Sequence, residues 1–202
     1  AGVGKSTLIR AFKESLNEAS YKVVYLPLTT VNKAEFYRQL NSELGGESQH
    51  RKCDLFKSIQ KMIIDYDKNR KQTPVIIFDD AQYLNSENLF ELHLLLNFAI
   101  DSYDPALWIL TGQPHLRERI SRPAFASIEQ RVVLKTVLSS MNETETKEYI
   151  EHHLTLKGRE EQIFNESGYL AVFKASNGVK RLINRIVLKS LMLGVSKKLD
   201  II

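Results

Sequence analysis

The sequence predicts an α/β fold built on a mostly parallel sheet, followed by a small unit made of helices alone. Three observations carry that expectation. Short β-branched runs alternate with helical periodicities as far as Leu138, strand-like runs then stop, and the opening residues AGVGKST read as the tail of a phosphate-binding turn that starts a helix.

Each element follows from its own pattern. Residues 6–16 repeat Leu8, Ile9, Phe12 and Leu16 at threes and fours, which predicts a helix. YKVVYLPL, residues 21–28, is β-branched and aromatic and predicts a buried strand. AEFYRQLNSEL places Phe36, Tyr37, Leu40 and Leu44 on one helical face and meets a stop at Gly45-Gly46. A second amphipathic helix carries Leu55, Ile59, Met62, Ile63 and Tyr66, and a basic linker leads to the apolar strand VIIF. A helix over 89–99 and the strand-like LWILTG follow, and RVVLKTV is the last strand expected. Beyond it, Asn142 with Glu145 forms a capping-box signature, Asn165 opens another helix that closes at Gly178, and a third runs from Val179 to about Leu193. On this last helix Leu182, Ile183, Ile186, Val187 and Leu191 form the inner face. The expected domains are therefore 1–138 and 139–202.

At 202 residues the chain supports one sizeable core with a small appended unit. Hydrophobic residues are 43% and charged residues 26%, values of an ordinary globular chain rather than a disordered one. The formal charge of +4 permits contact with nucleic acid or an anionic membrane without requiring either. Cys53, the single cysteine, forms no internal disulfide and no CxxC metal site. No apolar run approaches the ~18 residues of a membrane span and no signal peptide is visible, so the expected setting is cytoplasmic.

The chemistry begins at Gly4-Lys5-Ser6, the last three fixed positions of G-x-x-x-x-G-K-[ST]. Glycines allow backbone N–H groups to curl around phosphate oxygens, the lysine reaches the outer phosphates, and the serine hydroxyl holds Mg²⁺. The plain alternative is a glycine turn before a surface helix. VIIFDD then ends an apolar strand in two acids, where a Walker B group stands in nucleotide hydrolases. Asp79 is expected to hold the metal shell and Asp80 to orient or deprotonate water; the alternative is a solvated acidic turn. LWILTG ends in Thr111, Gly112 and Gln113, where a γ-phosphate sensor is expected, and Arg181 opens the last helix.

The order of these motifs resembles AAA+ ATPases: Walker A, Walker B, a first sensor, a Gln-Arg pair, then a helical lid with a second sensor. More narrowly it is similar to the ExeA (general secretion pathway protein A) family and its relatives of the TnsC and TniB kind, which regulate transposition. FDDAQYL, LTGQPHLRERISRPAF, IEQRVVL, NETETKEYIEHHL and ASNGVKRLINRI carry the likeness across almost the whole chain. The resemblance implies a P-loop NTPase parallel sheet with a small C-terminal helical lid, and an ATP hydrolase using ATP and Mg²⁺. It assigns Gly2, Gly4, Lys5, Ser6 and Thr7 to nucleotide binding, with Ser6 and Asp79 toward the metal. It makes Asp80 the water-positioning acid, Gln113 (or Thr111) the first sensor, Arg131 an arginine finger across a homo-oligomer interface, and Arg181 the second sensor.

Two departures stand out. The family usually has Asp-Glu, so Asp80 is one methylene short and hydrolysis is expected to be slow. It also usually has Gly-x-Pro-Arg, and Lys180 stands in the proline's place. The resemblance further places the strand before the phosphate turn mid-sheet, between LWILTG and RVVL, so the first strand is expected to lie ahead of Ala1.

His93, within ELHLLLNF, reads as a helix-face residue, and His152-His153, which lack acidic or cysteine company at ligand spacing, as a solvated lid face. Tyr83 and Trp108 read as core or near-core aromatics, and the Lys68–Lys71 run as a solvated loop. Lys33 follows the second expected strand, where DNA-binding relatives face a central channel, so a duplex phosphate contact is entertained there. Three functions remain in competition. The first is a DNA-associated switch that recruits a transposase, the second a secretion-accessory ATPase, and the third a nucleotide-binding scaffold that scarcely hydrolyses.

Overall fold

The computed structural model describes residues 2–27, 30–99, 102–159, 161–199 and 201. Leu28, the end of the strand expected over 21–28, lies outside the described residues. The chain forms two compact units, Ser6–Lys135 on the one hand and Ala1–Lys5 with Thr136–Ile202 on the other.

In the larger unit the elements run α1 (Lys5–Ser15), β1 (Tyr21–Leu26), α2 (Lys33–Glu43), α3 (Lys52–Lys68), β2 (Thr73–Phe78), α4 (Ser86–Leu95), β3 (Leu107–Leu110), α5 (Pro114–Ile120) and the single turn α6 (Ala126–Glu129). The three strands are parallel in the order β1-β2-β3, with Tyr21 opposite Thr73 and Val75 opposite Leu107. β2 is apolar without alternation because both its faces are covered. Val75 and Ile77 turn toward Ile9, Phe12 and Leu16 of α1 and its end, whereas Ile76 and Phe78 join the cluster built by α2, α3 and α4. Phe36, Phe78 and Trp108 stack through that cluster with centroids 5.7 and 6.3 Å apart.

Helix ends follow the capping rules. Asn32 and Glu35 form a capping box at α2, and Gly45, at φ +90°, follows its end. α4 closes at Leu95, four residues before the expected limit, because its C-cap Leu96 is followed by a turn that carries Ala99 at φ +46°.

The expected strand RVVLKTV does not form. Backbone N–H groups of Arg131 and Val132 continue the turn of α6, donating to Ile128 and Glu129 carbonyls. Beyond them Val133 is fully exposed and Leu134 is 81% exposed. β-branched composition supplies a preference, but a strand exists only by pairing, and no described strand runs beside this segment.

The smaller unit packs α7 (Glu143–Thr155), α8 (Glu166–Ser176) and α9 (Lys180–Lys197) around Ile150, Phe164, Tyr169, Val172 and Ile183. The capping box at Asn142 is present as expected, and Asn165 caps α8 through the Gly168 N–H. α9 runs to Lys197, four residues beyond its expected end.

Candidate functional site

In the larger unit, polar side chains gather where β1, β2 and β3 end. Asp79 follows β2 directly and is only 5% exposed. Its Oδ2 accepts from Tyr25 Oη at 2.9 Å and from Ser6 Oγ at 3.3 Å. Its Oδ1 accepts from the Asp80 N–H at 2.9 Å and from Thr111 Oγ1. Burial alone pushes this carboxyl up, but the bonds from Thr111, Tyr25, the Asp80 N–H and Ser6 outweigh it and hold the group below its ordinary range. The same arrangement acts on Tyr25, whose phenol is pushed up by burial and by the Asp79 charge.

Asp80 is exposed and sits in the left-handed region, at φ 49° and ψ 38°. Its Oδ1 accepts from Gln82 Nε2 at 3.0 Å. Gln113 caps α5 with no side-chain cap bond, and its N–H donates to Gln82 Oε1 at 3.0 Å. Of the two sensor candidates, Thr111 therefore touches Asp79, whereas Gln113 is linked to Asp80 through Gln82. Arg131 directs Nη1 to the Leu96 carbonyl at the end of α4, 3.2 Å away. Thr7 lies exposed on α1. Lys33 faces Glu87 and Glu91 at 3.6 and 3.4 Å, so its ammonium is already shared between two carboxylates.

In the smaller unit, Gly2 and Gly4 hold φ of +86° and +105°, values that let successive N–H groups face one side. The Arg181 N–H donates to the Gly2 carbonyl at 3.2 Å, so this turn lies on the start of α9. The Lys180 side chain runs along Gly4, with Cδ and Nζ each 3.3 Å from where a Cβ would stand there. Its Nζ also lies 6.0 Å from the Tyr149 ring centroid. Lys5, half-buried, is the first residue of α1, and Arg181 is exposed in the first turn of α9.

Tyr25 and Gln82 have no role in the sequence reading. Register would have found Tyr25, since it pairs with Ile77 and so shares a face with Asp79 two residues on. Gln82 carries no such signal, because its reach depends on the turn that Asp80 starts.

Helices on both faces of a parallel sheet, with acids and hydroxyls past the strand carboxyl ends, make this a P-loop NTPase fold. The chain belongs to the family described as AAA domain, whose profile matches residues 1–120. Among curated proteins it is similar to general secretion pathway protein A of Aeromonas hydrophila. The two are 28% identical over 118 residues, which cover 58% of this chain and 22% of that protein. Among solved structures, Cdc6p from Pyrobaculum aerophilum aligns with all of this chain and 55% of its own, at a TM-score of 0.69 and 15% identity. The ORC2 protein of Aeropyrum pernix, in ADPNP–ADP complexes, aligns with all of this chain and 56% of its own, at 0.62 and 16%. The chain thus spans little more than half the length of these solved neighbours. Among the described residues, no helix is long and apolar enough to cross a membrane.

Proposed function

We propose that the chain is an Mg²⁺-dependent ATP hydrolase of the AAA+ type, acting in the cytoplasm. The observation that carries this reading is the bond from Ser6 to Asp79, 73 residues apart in sequence, which joins the hydroxyl of the phosphate turn to the first acid after β2. Both are hard oxygen donors. Magnesium takes one or two such protein oxygens and fills the rest of its shell with water and phosphate, so the pair fits. When bound, the ion neutralises charge on the phosphoryl group that is transferred.

The remaining roles belong to the chain's own groups. N–H groups at Gly2 and Gly4 and the Lys5 ammonium bind the phosphates, with Thr7 behind them. Asp80 orients the attacking water and accepts its proton, and Thr111 or Gln113 senses the outer phosphate. Residues 139–202 act as a lid that supplies Arg181, and Arg131 serves a neighbouring copy in a homo-oligomer. Release of the Leu96 carbonyl is then part of assembly.

The test is calorimetric and kinetic. Lys5→Ala loses Mg-ATP binding, while Asp80→Asn keeps it and loses turnover by roughly 10²-fold or more. Asp80→Glu, one methylene longer, keeps or raises turnover. Unchanged ATP affinity in Lys5→Ala would sink the assignment.

Two settings compete for this activity. A DNA-associated switch that regulates a transposase is supported by the net charge of +4 and by the resemblance to transposition regulators. A secretion-accessory role is favoured by the similarity to general secretion pathway protein A.

A further inference from the structure

We propose that Gln82 is a positioning residue that fixes the Asp80 carboxylate to the loop after β3, so that this loop sets the orientation of the acid. The inference rests on the reading of Asp80 as the water-positioning group.

A carboxamide offers a donor and an acceptor at once, and Gln82 spends both on this link. Its Nε2 donates to Asp80 Oδ1 and its Oε1 accepts from the Gln113 N–H, each at 3.0 Å. The two partners fix the amide orientation, because turning it over would set NH₂ against N–H and oxygen against carboxylate. Gln82 is 5% exposed, so water competes poorly for either bond.

The backbone around Gln82 is anchored on two sides. The Ala81 N–H donates to the Thr111 carbonyl at 2.8 Å. Arg119 Nη1 reaches the carbonyls of Gln82 and Leu84. The turn over Ala81–Tyr83 and the loop 111–113 are thus tied together twice, once by backbone and once through the Gln82 amide. Gly112 lies between the ties. A Cβ there would stand 2.8 Å from Gln82 Oε1 and 2.7 Å from Leu116 Cδ2, so a larger residue would push these two side chains aside. Asp80, by contrast, is exposed and holds a left-handed backbone. The Gln82 Nε2 bond ties one oxygen of its carboxylate to this buried link.

The substitutions separate positioning from simple support. Gln82→Glu is isosteric, keeps the acceptor for Gln113 and replaces the donor by a like charge against Asp80. Gln82→Leu removes both bonds. With Asp80→Asn as reference, each full-length variant is measured for melting midpoint, Mg-ATP affinity, kcat, and hydrogen exchange at the Gln113 amide.

For Gln82→Glu the expected result is parent-like ATP affinity and Gln113 exchange, a melting midpoint lowered by the like charge beside Asp80, and kcat down by roughly 10²-fold, the cost of a misplaced catalytic group. For Gln82→Leu, Gln113 exchange accelerates and kcat falls as well. Parent-like kcat in Gln82→Glu, beside an inactive Asp80→Asn, overturns the proposal while leaving the reading of Asp80 intact. A kcat loss in Gln82→Glu that comes with lost ATP affinity or faster Gln113 exchange also overturns it, because that is structural support alone. Parent-like turnover in Asp80→Asn overturns the reading of Asp80, and this inference with it.

Discussion

Glu91 carries a carboxylate into a nearly closed place between three helices. It accepts from Tyr37 Oη and from Lys52 Nζ, each at 2.7 Å, with Lys33 Nζ at 3.4 Å. Burial pushes its pKa up, but the bonds from Lys52 and Tyr37 outweigh burial and leave it below its ordinary value of 4.5. A carboxyl depressed by folding adds stability that is complete above the unfolded value and is lost as pH falls through the folded one. Acid unfolding of the parent therefore steepens below about pH 4.5, and Glu91→Gln flattens that limb. At pH 7 the same change costs about 1–2 kcal/mol, since Lys52 loses a charged partner but keeps access to water. Urea titrations of both proteins at several pH values check the two statements. Residues of this kind divide by how they could be read. Lys5, Ser6, Asp79 and Asp80 stand out as candidates in the sequence because each motif is local. Tyr25, Gln82 and Glu91 were not, because each acts across a register or a helix packing that composition does not contain.

At the scale of the element, α9 begins without a side-chain cap. Val179 is its N-cap, at φ −80° and ψ 111°, and Lys180 is its first helical residue. Proline fits such a first position, its fixed φ suits the helix, and the residue before it is already extended. Lys180→Pro therefore raises stability by about 0.4–1 kcal/mol, mainly by narrowing the unfolded ensemble, and a denaturant midpoint reads the gain. It also removes the ammonium beside Gly4, so ATP affinity falls if the phosphate turn acts as proposed. Elements whose ends are written in side chains were the legible ones. Asn142 with Glu145 and Asn165 start α7 and α8 where the sequence put them. Residues 131–137 show the converse. Their strand preference was plain, but pairing is a property of two segments, and Val133 and Leu134 stand in solvent without it.

For the molecule as a whole, charge sets what it meets. If the DNA-associated setting holds, a net +4 and the absence of a base-reading motif predict that duplex binding in the ATP state draws on phosphate contacts alone. Lys33 joins them only by leaving Glu87 and Glu91. Three to five such contacts give a log–log salt slope of about −2.7 to −4.5, with little sequence preference. Titrations at several salt concentrations with ATP, ADP and no nucleotide measure it. No binding in any state, by protein that binds ATP, removes the DNA-associated setting and leaves the secretion-accessory one.

The parallel sheet also governs how fast the chain can find its structure. Among the described residues no hairpin seeds it. Thr73 must return to Tyr21, and Leu107 to Val75, across whole helices before the first ladder bonds reward the closure. Such non-local pairing places the chain among slow folders, with β2, the most deeply buried strand, needing both crossovers before its two edges are covered. Until both crossovers are made, four consecutive apolar residues, Val75 to Phe78, are open to other chains, so refolding yield is set by dilution as much as by stability.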